Sequence, residues 1–216
     1  MRTPREIYLA YKIMPNLQLH QLRVAAVGKL ICDNFLKPID AQSVILAGLF
    51  HDMGNIIKSD FAQLSEFIKP EGAEYWESVK AEFIKTYGDS AHNANVAIAK
   101  EIGVNDGVVA LINGVSFANM DTIVEGDSYE QKICEYADTR VGPFGVLSQI
   151  ERLDEARQRS IARGKNYYSE DGFNTLSAVA SQLEHQIFEF TKLRSEDIDD
   201  ASVAPIIEQL WDYPVS

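Results

Sequence analysis

The stretch LAGLFHDMGN, Leu46 to Asn55, runs from an apolar segment into two adjacent side chains of metal-ligand type, His51 and Asp52. Asp40 can cap the helix that leads to it, and Val44, Ile45, Leu46 and Leu49 supply its inner residues. Gly54 is placed to end it. Neighbouring helical residues project about 100° apart, so a cation over the edge between His51 and Asp52 is within reach of both. The pair is therefore either an ordinary polar helix end or half of a binding site.

Two flanking helices bear on that choice. Upstream, a helix over roughly residues 17–35 carries Val24, Val27 and Ile31 on its apolar face, with His20 on the same face, and Pro38 stops it. Downstream, SYEQKICEYAD, residues 128–138, is a helix with Ile133, Cys134 and Ala137 on its buried side and Asp138 at its end. An Asp127–Glu130 capping box is expected to start it. The order His20, His51–Asp52, Asp138 can bring ligands from three helices to one point. Each group alone has an ordinary explanation: a capping pair, a hydrogen-bonded core histidine, a turn aspartate. Their joint occurrence favours a metal. Two imidazoles and two carboxylates with open positions suit octahedral Mn, Fe, Co, Ni or Mg better than closed tetrahedral zinc.

Helical periodicity continues nearly everywhere, so the fold class is all-α. A first helix follows Pro4. Residues 56–89 read as a helical insertion, with a short helix near Phe61–Ile68 and a longer amphipathic one carrying Tyr75, Trp76, Val79, Phe83 and Ile84. Ser90 opens a helix that contains His92 and ends at Gly103; another covers Asp106 to Val115. A helix over residues 146–159 precedes a polar linker, and Leu176, Val179, Leu183 and Ile187 then mark a core-packing stripe. A last short helix ends near Trp211. Residues 1–165 are expected to form the metal-binding helical domain, with the C-terminal helices of residues 166–216 packed on it.

Composition narrows the partners. With 216 residues, 46% hydrophobic, the chain can build one sizeable core. A formal net charge of −12 without a Lys/Arg cluster argues against a nucleic-acid polymer, and a metal or a few local basic residues would have to attract any anionic substrate such as a small phosphorylated molecule. Two distant cysteines without CxxC spacing fit a reducing, cytoplasmic setting. No apolar run reaches membrane-spanning length, so no membrane partner is expected. The aromatic side chains of 56–89 are assigned to ordinary packing, with a lid or a homo-oligomer interface as the competing use.

These residues resemble the HD superfamily of metal-dependent phosphohydrolases, whose pattern is H…HD…D. LHQLRVAAVGKL (19–30) looks like its first-histidine helix, ILAGLFHDMGN (45–55) like its HD helix, and KICEYADTRVGPFG (132–145) like the segment delivering the last aspartate. The resemblance covers about residues 17–160. It implies an HD-domain-like helical bundle around a divalent metal held by His20, His51, Asp52 and Asp138, and hydrolysis of a phosphoester by metal-activated water, with Asp52 also orienting that water.

Two departures stand out. Many members read HD-x-G-K, and here the lysine position is Asn55, with Lys58 three residues later as a substitute or a solvated side chain. Members with two metals use extra histidines before the final aspartate, and only His92 lies in that interval, which argues against a second ion. At the first turn of a helix, His92 is biased toward neutral imidazole and can bind a second metal, contact phosphate or serve in proton transfer, or be simply an exposed first-turn residue. Arg23 and Arg140 are candidate phosphate-binding residues beside His20 and Asp138. Lys29, Arg152, Arg157, Arg159 and Arg163 read as solvated helix residues. The competing function is a non-catalytic, metal-stabilised HD-fold binding or signalling module.

Overall fold

The computed structural model describes residues 2–61, 66–162, 164 and 169–215, and these form an all-α fold of eleven α-helices with no β-strand among the described residues. Polar caps set most helix starts. Thr3 and Glu6 close a reciprocal capping box on α1 (Pro4–Ala10). A proline opens α2 (Pro15–Asp33), where its missing N–H would have been unpaired anyway. Asp40 accepts the Ser43 amide at 3.1 Å and caps α3 (Ala41–Phe50), as expected. On α4 (Ala73–Tyr87), Trp76, Val79 and Phe83 are buried, while Tyr75 and Ile84 lie at the edges of the stripe and are exposed.

Ser90 caps α5 (Ala91–Ile102), and Gly103 closes it at φ 87°, the left-handed region that glycine alone enters freely. Asn105 caps α6 (Asp106–Gly114). The six-residue α7 (Met120–Glu125) is too short for its periodicity to announce it. Ser128, not an Asp127–Glu130 box, caps α8 (Tyr129–Asp138): the helix begins one residue later than that box requires, so the Gln131 amide at 3.2 Å is the one satisfied. α9 (Gln149–Ala162), α10 (Glu170–Phe188) and α11 (Asp200–Leu210) complete the chain. The expected short helix at Phe61–Ile68 and the expected boundary at 165/166 fall largely on residues 62–65 and 165–168, outside the described residues.

Helices α2, α3 and α8 pack on one another, α6 lies on α3, α11 on α2, and α10 against α7 and α8. The first contact is close because glycines allow it. A Cβ on Gly48 would stand 2.7 Å from the Ala25 Cα, and one on Gly28 2.9 Å from Val44 Cγ1. The two arginines expected to bind phosphate hold the C-terminal segment instead. Arg140, 2% exposed, donates to the Leu147, Ser195 and Ile198 carbonyls and to the Tyr136 hydroxyl, so its guanidinium is occupied. Arg23 Nε lies 3.6 Å from Asp200 Oδ1 and links α2 to α11.

Gly48→Ala should therefore lower the unfolding free energy by about 1–3 kcal/mol, the usual cost of overpacking, as read by urea denaturation. An unchanged midpoint would mean that α2 and α3 can separate without penalty.

Candidate metal centre

The HD turn is fastened by groups on three neighbouring helices. The Tyr8 hydroxyl of α1 donates to the Leu49 carbonyl at 2.7 Å, taking up an acceptor that the end of α3 leaves open. Gln21 of α2, fully buried beside His20, accepts the Asp52 amide at 3.2 Å through Oε1. On α5, Asn95 Oδ1 accepts the Gly54 amide at 2.6 Å. Gly54 is not the helix terminator expected of it: its φ is −93°, and the chain continues as a 3-10 turn, Asn55–Lys58. Glycine is needed there for close approach, since an added Cβ would lie 2.5 Å from Ala94 Cβ.

Four of the sequence-predicted residues converge. One ligand atom each from His20, His51 and Asp52 lies within 4.8 Å of the other two. The fourth carboxylate reaches both imidazoles: Asp138 Oδ1 is 3.2 Å from His20 Nε2 and 3.4 Å from His51 Nε2. Asp52 Oδ2 lies 3.6 and 3.8 Å from the same two nitrogens. His51 is buried, whereas His20, Asp52 and Asp138 each keep about a fifth of the side chain exposed, at 17, 20 and 17%.

The chemistry of this donor set fits a divalent cation. His51 Nδ1 is 2.9 Å from the Gly48 carbonyl, which cannot donate, so Nδ1 carries the hydrogen. That leaves the Nε2 lone pair directed toward the cluster. His51 Nε2 is buried and makes no hydrogen bond among the described residues, although two carboxylate oxygens stand within ion-pair range. A lone pair facing carboxylate oxygens is repulsive unless a positive charge sits between them. That charge can be a proton or a metal ion. In the metal-free protein it is a proton: burial opposes charging His51, but Asp52 and Asp138 outweigh burial and raise its pKa to about 9. Burial likewise opposes ionising Asp138, and the adjacent His20 and His51 imidazoles override it, holding the carboxyl well below the usual range.

One buried acid escaped the sequence reading. Glu135, one turn before Asp138, is pushed up to about 8 by burial and by the Asp138 charge. Its Oε2 accepts the Ser116 amide at 2.8 Å and ties the Val115–Ala118 wall of the site to α8. Gln21 and Asn95, which position the HD turn, were also missed. A polar residue on an inward helix face was the available signal for both.

The cluster opens into a cleft of about 1610 Å³, whose lining includes Asn55, Lys58, His92, Phe117, Phe144 and Arg152. His92 stands apart from the ligand cluster: its Nε2 is 3.1 Å from Asn113 Oδ1, and Asn113 lies in the INGVSF segment where a second histidine would be needed. Lys58 is exposed on the cleft wall, and Asn55 is buried within it.

Residues 18–89 match the family model described as HD domain. The matched segment is similar to an HD domain and holds His20, His51 and Asp52. The match runs through residues 56–89, read from the sequence as an insertion, and stops before Asp138. Comparison with curated proteins and with solved structures gave no match.

The proton on His51 sets a pH dependence. Its folded pKa of about 9 exceeds the ordinary 6.5, so its stabilisation is complete below pH 6.5 and is lost as pH rises through 9. A divalent ion held by the cluster would compete with that proton for His51. Thermal melts from about pH 6 to 9 should show alkaline destabilisation in chelator and a rise in Tm with Mn²⁺ that grows with pH. A metal-induced rise that shrinks toward pH 9 would contradict this assignment.

Proposed function

We propose that this protein is a metal-dependent phosphohydrolase that cleaves a phosphoester of a small phosphorylated substrate of nucleotide size. The observation that carries the reading is the buried, unpartnered His51 Nε2, facing two carboxylates at the base of a cleft. His20, His51, Asp52 and Asp138 would hold the ion, and two imidazoles with two carboxylates suit Mn, Fe, Co, Ni or Mg. A divalent ion in such a site supplies Lewis acidity toward a phosphoryl oxygen and lowers the pKa of water. The residues of the chain supply orientation. Asp52 keeps an exposed edge toward the cleft, where it would accept a hydrogen bond from the attacking water. His92, held by Asn113 on the cleft wall, would serve in proton transfer. Lys58 adds positive charge at the mouth.

The size of the cleft supports a substrate larger than phosphate alone, and the net charge of −12 disfavours a polymer. The cytoplasmic setting belongs to the same proposal. It is supported by two buried free cysteines and by the lack, among the described residues, of any single helix long and apolar enough to cross a membrane.

One observation favours a second reading, a metal-stabilised binding or signalling module without turnover. Asn55 occupies the lysine position of HD-x-G-K, is buried in the cleft wall, and brings an amide where the pattern brings a charge.

A panel of nucleotides and generic phosphoesters, assayed with Mn²⁺, Co²⁺, Ni²⁺ and Mg²⁺, separates the two. Turnover should fall at least about a hundredfold in Asp52→Ala. His92→Ala should lower kcat while leaving metal affinity intact. Turnover that survives Asp52→Ala overturns the mechanism, and metal-dependent stability without turnover on any substrate selects the binding module.

A further inference from the structure

Arg152 reads from the sequence as a solvated helix residue, yet on α9 it is 8% exposed and lines the cleft. Its guanidinium is immobilised on three sides. Nε donates to the Val141 carbonyl at 2.7 Å, Nη1 donates to Glu155 Oε2 at 3.1 Å, and the Phe117 ring lies 5.7 Å from the guanidinium carbon. Nη2 has no protein partner among the described residues and is not sealed from solvent. Val141 follows Asp138 by three residues, so the arginine is held in register with the exit of the ligand helix α8.

Charge gives that free amino group a purpose. Glu155 also pairs with Arg159 at 3.4 Å, so Arg152 shares its carboxylate partner with a second guanidinium. Asp52, Asp60, Glu66 and Asp138 line the same cleft and repel an anion. An oxyanion entering it must be met by a fixed donor, and a guanidinium already ordered by its neighbours loses little side-chain freedom when it binds.

We propose that Arg152 is the oxyanion anchor of this cleft, its Nη2 donating to a phosphate oxygen of the bound substrate. This inference rests on the phosphoester reading for the identity of the anion, but not on turnover. Its test is calorimetric titration of inorganic phosphate into the full-length protein, once loaded with Mn²⁺ and once in EDTA. Wild type is compared with Arg152→Gln and with Ala156→Glu. The second variant adds a carboxylate one turn along α9, at a cleft-lining position, and leaves the bonds of Arg152 in place.

Both variants should weaken phosphate binding by roughly tenfold or more, the scale of a hydrogen bond to a charged group, with Mn²⁺ affinity unchanged. Ala156→Glu keeps the test decisive if loss of the Val141 bond unfolds Arg152→Gln. Wild-type affinity in a folded variant overturns the proposal, as does a wild type that binds no phosphate in either state. A protein that takes up no Mn²⁺ sinks the metal-centre reading instead, and the EDTA titration still reads the arginine.

Discussion

The bond from His51 Nδ1 to the Gly48 carbonyl, 2.9 Å long and buried, determines what the rest of the site can be. It fixes the tautomer and aims the remaining lone pair at two carboxylates. With that orientation set, the cluster cannot be a neutral core network. It holds either a proton or a cation, and both outcomes draw His20, Asp52 and Asp138 together. The same bond also satisfies a carbonyl in the last turn of α3, so the feature that ends the helix prepares the ligand.

That preparation depends on how closely three helices approach. Gly48 supplies the carbonyl and, having no side chain, lets α3 settle against Ala25 of α2. Gly28 does the same against Val44. These small residues keep His20 within reach of the HD turn, and α8 packs on both helices to deliver Asp138. Gln21 and Tyr8 remove the remaining freedom of the turn by bonding backbone on either side of His51. Packing and ligand geometry are therefore one constraint: widening the α2–α3 contact would also loosen the metal centre.

Much of this was legible in the sequence, and the misses have physical causes. An inward His20, an adjacent His51–Asp52 and a terminal Asp138 can be placed by helical period alone, because period fixes which face a residue shares. Gly54 was misjudged because a glycine after a helix can serve either positive φ or close approach, and only the position of Ala94 distinguishes the two. Long cationic side chains defeated the reading. Arg140, Arg23 and Arg152 span several ångströms beyond their Cα atoms, so their partners are set by tertiary structure: C-terminal carbonyls, Asp200 and the Val141 carbonyl. No local pattern tells a guanidinium that staples the fold from one that faces a cleft.

The division of the site between matched and unmatched chain has a consequence for specificity. Residues 18–89 contain three of the four converging ligands, along with Asn55 and Lys58. Asp138, His92, Phe117, Phe144 and Arg152 come from beyond residue 89, so the fourth ligand and much of the cleft wall are built outside the matched segment. Ligand geometry tolerates little change, because each donor must stay within a few tenths of an ångström of its place. A cleft wall has no such restriction and can vary around a constant centre. In the proposed reaction, the part of the chain outside the matched segment would therefore be the part that selects the substrate. The proposed anchor Arg152, on α9, would then bring to the wall the positive charge that Asn55 does not supply.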